Sequence, residues 1–420
     1  MEITITPHIL SGTAESIPSK SQAHRFLISA ALSRTNTKIA CPSASKDMDA
    51  TASCLSALCA SVRKEDGAYH VSPCALDTPA RLFCGESGST LRFILPLAGA
   101  LGKEAHFLLE GRLPERPQEP LLSQLVAHGM EISRDENGNL HTKGQLQSGA
   151  FSLPGDVSSQ FISGLLFALP LLSGDSTLTL WGTVESAPYI EMTEDALRRF
   201  GIRFTYKENT YYIPGGQVYT PPSALSVEGD WSSAAFFLSA GALGGGITLE
   251  GLSPRSLQGD REIADLLARF GAQVKTEDSR VTISPAPLSG ISVSASQIPD
   301  LVPVLAVVAA AAKGETRIVD AARLRLKESD RLVAVSRMLK ALGGTIEETR
   351  DGLFIEGGAP LRGGTVDSMG DHRIAMSAAI ASIFCRGPVR ILGAEAVEKS
   401  YPSFWDAFSL LGGQIERSQS

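Results

Sequence analysis

Seven cations, two carboxylates and one histidine lie in short polar segments, most of which lead into runs of small and apolar residues. Lys20 and Arg25 belong to Pro18-Ser19-Lys20-Ser21-Gln22-Ala23-His24-Arg25. Arg116 belongs to Arg112-Leu113-Pro114-Glu115-Arg116-Pro117, where proline fixes the backbone and a guanidinium can be held with little entropy lost on binding. In Lys327-Glu328-Ser329-Asp330-Arg331 the two cations are four apart. That spacing predicts both on one face at the start of a helix, with Glu328 and Asp330 in its first turn. Gly370-Asp371-His372-Arg373 opens an apolar run, where a histidine and an arginine are costly unless they face a cavity. Lys399 heads a further segment, and Asp300 follows Ile298-Pro299. Convergent cations of this number call for several negative charges, which phosphates and carboxylates supply, with arginine giving two-pronged contacts. Asp300 and Glu328 are a pair of acids of the kind that proton transfer needs. Taken singly, each motif also fits a solvated helix start or an i,i+4 surface network.

These residues share one structural position. A pattern recurs six times at intervals of about 70 residues: a polar turn, a helix of small apolar residues, a break, a short strand, a more charged helix, and two strands joined by a turn. The first helices are expected at 21–33, 89–101, 158–172, 231–243, 299–312 and 371–385, apolar on most faces and therefore buried. The second helices are expected at 49–60, 120–128, 191–200, 260–270, 328–342 and 402–411, amphipathic and external. The first helices open at Lys20-Ser21, Gly88-Ser89, Ser158-Ser159-Gln160, Asp230, Asp300 and Asp371-His372-Arg373. Free N–H groups and the helix dipole favour anions at such ends.

The unit is β-α-β-α-β-β, and the last copy lacks its final strand. Residues 3–6 alternate as a strand with no sheet of their own, so the N-terminus is expected to complete the last copy. The fold class is then α/β (α+β), with two similar domains, each of three βαβαββ repeats around buried inner helices, an inside-out α/β barrel. The expected domains are residues 1–18 plus 229–420, and residues 19–228. A solenoid is the alternative for a repeated chain. It predicts similar repeat faces, whereas the helix-start residues here differ and many are charged.

Composition narrows the class. Of 420 residues, 43% are hydrophobic and 20% charged, which describes a globular chain too long for one ordinary core. The net charge is −7 and no long Lys/Arg run occurs, so nucleic-acid binding is not expected and any basic site must be local. No signal peptide and no membrane-spanning run is read. The six cysteines form no Cys-x-x-Cys pair and are expected to be free thiols in the cytoplasm. No Walker loop and no His/Cys/Asp metal spacing is visible in the sequence, so neither nucleotide hydrolysis nor metal catalysis is expected.

Over essentially its whole length the chain resembles the 5-enolpyruvylshikimate-3-phosphate synthase family of enolpyruvyl transferases. The resemblance rests on Pro18 to Arg25, Gly85 to Arg92, Pro114-Glu115-Arg116-Pro117, Ser158-Ser159-Gln160, Ser186-Ala187-Pro188-Tyr189-Ile190, Ile298-Pro299-Asp300, Lys327 to Arg331 and Asp371-His372-Arg373. It implies an active site in the cleft between the two domains, no cofactor and no metal. It implies that shikimate 3-phosphate is bound by Lys20, Ser21, Arg25, Ser158, Ser159, Gln160, Ser186, Asp300 and Lys327. Phosphoenolpyruvate would be held by Lys20, Gly88, Arg116, Gln160, Arg331, Arg373 and Lys399. Asp300 would take the proton of the 5-hydroxyl and Glu328 would protonate the methylene carbon, with Lys20 and His372 assisting. The expected partners are these two small molecules, with no nucleic acid and no membrane, and the expected state is a monomer in the cytoplasm.

Glu86, Phe93 and Arg323 depart from the family's pattern, which has Asn, Pro and Asn at those places. The sister family, UDP-N-acetylglucosamine enolpyruvyl transferase, usually carries Cys or Asp in the loop before its counterpart of Arg116. Gly111-Arg112-Leu113-Pro114 has neither. A non-enzymatic repeat scaffold that binds a polyanion is the remaining alternative.

Overall fold

The computed structural model describes residues 1–74 and 79–418. They fall into two compact units, Lys20–Val227 and Met1–Ser19 with Glu228–Ser420.

In the unit Lys20–Val227 the inner helices are α1 (Lys20–Ala31), α3 (Gly88–Ala100) and α5 (Ser159–Ala168). The outer ones are α2 (Lys46–Leu58), α4 (Leu121–Ala127) and α6 (Ala187–Arg199). Every residue of α3 except Ser89 is buried, and every residue of α5 except Gln160, because neighbouring elements cover all sides. In the other unit the inner helices are α7 (Trp231–Leu243), α9 (Val302–Ala311) and α11 (His372–Ala381). The outer ones are α8 (Ile263–Phe270), α10 (Arg331–Ala341) and α12 (Phe404–Leu410). Helix α9 is rich in valine, which isolated helices disfavour; burial of every residue but Ala311 outweighs that preference. Helix α8 shows the outer type. Ile263, Leu266, Leu267 and Phe270 face inward at helical spacing, and Gly271 (φ 119°) closes the helix in the left-handed region.

Helix starts are fixed by side chains. Ser87, Ser158, Asp230, Asp330 and Asp371 each accept a hydrogen bond from a backbone N–H in the first turn of α3, α5, α7, α10 and α11. This corrects one expectation. Helix α10 starts at Arg331 behind its cap Asp330, and Lys327 ends the 3-10 turn Ala322–Leu326. Lys327 and Glu328 therefore precede the helix, and Lys327 shares no helical face with Arg331. A short polar side chain that can cap the helix decided the boundary, and the i,i+4 spacing did not. Helix α9 is likewise preceded by a 3-10 turn, Pro299–Leu301, which carries Asp300.

Among the described residues each unit holds three sheets. In the common arrangement a first strand runs parallel to a second, the second pairs antiparallel with the fourth, and the fourth with the third. Ala150–Pro154, Ser176–Trp181, Thr210–Ile213 and Thr205–Lys207 lie side by side in that way. Where the last copy lacks its fourth strand, Glu2–Thr6 takes the place, antiparallel to both Val389–Leu392 and Gln414–Ser418. A second exchange occurs at the other end of the repeat series. Gly12–Glu15 runs parallel to Ile247–Glu250 in the fourth copy's sheet. The first copy's sheet instead receives a parallel bridge from Ser226 to Ala40.

Candidate active site

In the unit Met1–Ser19 with Glu228–Ser420, the site is organised around Arg331, whose guanidinium is almost inaccessible. Its Nη1 donates to Asp300 Oδ1 at 2.7 Å, its Nη2 to Glu328 Oε2 at 2.7 Å, and its Nε to Asp371 Oδ2 at 2.8 Å. One planar cation thus joins the two candidate acid–base residues. Ser329 Oγ donates to the same Asp371 Oδ2 at 2.9 Å. Asp371 also caps α11, accepting from the Arg373 N–H at 2.9 Å. A single buried carboxylate therefore sets both the start of α11 and the position of Arg331. His372, at the first position of α11, is buried, with Nδ1 3.8 Å from Asp371 Oδ1.

Asp300 meets two further cations. Arg373 Nη2 lies 3.2 Å from its Oδ2, and Lys327 Nζ lies 3.7 Å from its Oδ1. Arg373 Nη1 also donates to the Asp300 carbonyl at 3.0 Å. Burial pushes the Asp300 carboxyl up, but Arg373, Lys327 and Arg331 together outweigh it and hold the group well below the usual carboxylate range. For Lys327 burial is the larger influence. Its ammonium is pushed down to about 8, with Asp300 pulling it back and Arg331 and Arg323 adding to the push. Lys399, outside this cluster, donates to the Gly370 carbonyl at 2.7 Å.

Asp260, in the 3-10 turn before α8, is a buried acid that the sequence did not single out. It accepts from Ser232 Oγ on α7. Burial and the negative charge of Asp300 raise its carboxyl to about 6, against the pull of Arg373.

In the unit Lys20–Val227, the expected residues gather at the starts of α1, α3, α5 and α6. Lys20, the first residue of α1, is paired with Asp47 Oδ2 at 2.8 Å, both largely buried. Arg25 is one turn further on. Its Nε donates to Thr193 Oγ1 at 2.9 Å, and its two terminal nitrogens to the carbonyls of Ser21 and Tyr189, each at 2.6 Å. Its guanidinium carbon lies 5.3 Å from the centroid of the Phe93 ring. Burial pushes Arg25 down to about 10, so it remains a cation at neutral pH.

Gly88 opens α3, and Arg116 leans over it: a Cβ at position 88 would come within 2.9 Å of Arg116 Nη1. Gln160, second in α5, accepts from Arg92 Nη1 at 2.6 Å and donates to Ser89 Oγ at 2.8 Å, tying α5 to α3. Ser158 caps α5, and Ser159 follows it into the helix. Ser186 sits before α6 with φ +53°, in the left-handed region that non-glycine residues rarely enter.

The sequence-derived residues thus form two groups, one in each unit. Lys20, Ser21, Arg25, Gly88, Arg116, Ser158, Ser159, Gln160 and Ser186 lie in one. Asp300, Lys327, Glu328, Arg331, His372, Arg373 and Lys399 lie in the other. The supporting partners Asp47, Arg92, Thr193 and Asp371 were not assigned to the site from the sequence. Asp371 was read as part of a helix start, but its bond to Arg331 arises only in the fold.

Residues 5–408 match the family model described as EPSP synthase (3-phosphoshikimate 1-carboxyvinyltransferase). A 3-phosphoshikimate 1-carboxyvinyltransferase from Clostridium kluyveri is 42% identical over 422 residues, covering 99% of this chain and 98% of that protein. The EPSP synthase of Acinetobacter baumannii superposes with a TM-score of 0.83 at 27% identity, covering 100% of both chains. The enolpyruvyl transferase NikO of Streptomyces tendae shares the fold, with a TM-score of 0.79 at 19% identity, covering 99% of this chain and 98% of that one.

Proposed function

The chain belongs to the EPSP synthase family, and from that premise we propose how its residues divide the reaction. The activity is that of a 3-phosphoshikimate 1-carboxyvinyltransferase: the enolpyruvyl group of phosphoenolpyruvate passes to the 5-hydroxyl of shikimate 3-phosphate, and phosphate leaves. The reaction belongs to the shikimate route to aromatic compounds. The matched relatives carry this activity, so the sister transferase is not favoured.

In the proposed mechanism Glu328 gives a proton to the methylene carbon of phosphoenolpyruvate. The neighbouring carbon becomes electron-poor, and the substrate 5-hydroxyl attacks it while Asp300 takes the hydroxyl proton. The product of addition is a tetrahedral centre bearing the phosphate. Loss of a methyl proton and of phosphate then restores the double bond. Lys20, Arg116, Gln160, Arg331, Arg373 and Lys399 hold phosphoenolpyruvate, with Gly88 giving it close access to the α3 start. Lys20, Ser21, Arg25, Ser158, Ser159, Gln160, Ser186, Asp300 and Lys327 hold shikimate 3-phosphate. His372 supports the phosphoenolpyruvate end through its place beside Asp371.

The observation that carries this division is the bridging of Asp300 and Glu328 by Arg331. A base held far below its ordinary pKa is a weak base. Arriving phosphates and carboxylates compete with Asp300 for Arg331, Arg373 and Lys327, and its basicity rises as their hold weakens. Substrate binding and activation of the base are then one event. Incubation of the purified protein with both substrates should release free phosphate in step with enolpyruvyl product. Release with UDP-N-acetylglucosamine as acceptor instead would point to the sister reaction. We further propose that the enzyme acts as a monomer in the cytoplasm. No helix among the described residues is long and apolar enough to cross a membrane.

A further inference from the structure

The outer surface of one sheet brings together three side chains that the sequence keeps far apart. Strands Ala105–Leu109 and Leu140–Lys143 pair antiparallel, with His106 directly opposite His141. Alternation along the first strand buries Ala105, Phe107 and Leu109 and turns Glu104 and His106 outward. The two imidazoles stack, with centroids 4.3 Å apart and planes 19° from parallel. Glu104 Oε1 lies 2.9 Å from His141 Nε2. One donor atom from each of Glu104, His106 and His141 lies within 4.8 Å of the others.

From this geometry we propose that Glu104, His106 and His141 form a surface site for a borderline divalent transition metal, Zn²⁺ in the first instance. Two imidazoles and one carboxylate are a donor set that such ions accept, and it leaves a fourth position for water. Tetrahedral coordination at about 2.0–2.2 Å sets donor atoms roughly 3.5 Å apart, so the three side chains must adjust from their present spacing. All three side chains are only partly buried, so rotation about their own bonds can do this without moving the strands. Binding replaces the Glu104–His141 contact with two bonds to the ion. Arg81, beside His106 on the next strand, and Lys143, whose charge interacts with Glu104, are cations that oppose it, and Ser133 flanks His141 on the far side. The ion clips two neighbouring strands together and takes no part in enolpyruvyl transfer.

The test is calorimetry of the chelator-stripped protein with Zn²⁺ alone. One equivalent should bind with micromolar affinity, and the melting temperature should rise by about 3 °C or more at saturating metal. Mg²⁺ and Ca²⁺, which prefer oxygen donors, should not bind at the same concentration. His106→Ala and His141→Ala should each abolish this binding and leave turnover unchanged. Glu104→Gln should weaken it about tenfold. Cu²⁺ bound at the site should show hyperfine coupling to two imidazole nitrogens. Retention of the equivalent in His106→Ala/His141→Ala, or coupling to fewer than two nitrogens, overturns the proposal. The spectroscopic reading stands even if one of the alanine variants fails to fold.

Discussion

Arg116 Nη1 occupies the space that a side chain at Gly88 would need, leaving 2.9 Å to an added Cβ. The absence of a Cβ at the start of α3 thus admits a guanidinium, in addition to the close approach of substrate proposed for it.

Gly88→Ala should displace Arg116 and raise the KM for phosphoenolpyruvate by about tenfold, the effect of losing roughly 1.4 kcal/mol of binding. The KM for shikimate 3-phosphate should change much less. Equal effects on both constants in steady-state rates would instead indicate a folding defect.

Glu328→Gln keeps a partner for Arg331 and removes the proton. The turnover number should fall by roughly 10²–10⁴, while calorimetry with shikimate 3-phosphate should give nearly the parent affinity. A variant that turns over near the parent rate would move the proton donor elsewhere, to Asp300, Lys20 or Lys399.

Asp371→Ala removes the carboxylate that meets Arg331 Nε and caps α11 at once. Loss of one partner from a buried charged pair costs about 3–5 kcal/mol. Asp371→Asn keeps a capping oxygen and should cost less. Chemical denaturation of the two variants should separate the two roles by that difference.

Lys327 makes a prediction with a sign. Burial holds its ammonium near 8, so the group is charged below that pH and neutral above it. Affinity for shikimate 3-phosphate should weaken as pH rises through about 8, and binding at pH 8.5 should take up protons from solution. Between about 8 and the ordinary value of 10.5 the folded chain carries fewer protons here than the unfolded one. Its contribution to stability therefore rises with pH while its grip on an anion falls. Lys327→Arg should move the loss of affinity to higher pH. Titration calorimetry in buffers of different ionisation enthalpy reads both effects.

Local signals carried much of the architecture. Ile3 and Ile5 alternated as a strand should, and the incomplete last copy indicated its partners. Apolar residues on all faces marked 231–243 as an inner helix, and Asp230 and Asp371 could be read as helix starts. The start of α10 was misjudged because two local rules compete there, the charge spacing of Lys327 and Arg331 and the cap at Asp330, and the cap prevailed. What stayed hidden depended on distance in sequence. Asp47 against Lys20, Thr193 against Arg25 and Asp371 against Arg331 are separated by 27, 168 and 40 positions. Neither periodicity nor motif spacing extends so far. His106 and His141 were invisible for the same reason, since only strand register sets them side by side.

The strand Glu2–Thr6, held between Val389–Leu392 and Gln414–Ser418, gives the molecule an order of assembly. Synthesis from N- to C-terminus makes this strand long before either of its neighbours. Residues 20–227 can settle while the leading strand still waits. A ribosome-stalled chain ending before residue 389 should therefore protect the amides of 20–227 from exchange and leave those of 2–6 open. Only once residues 389–418 have been made does an early-made segment find its place.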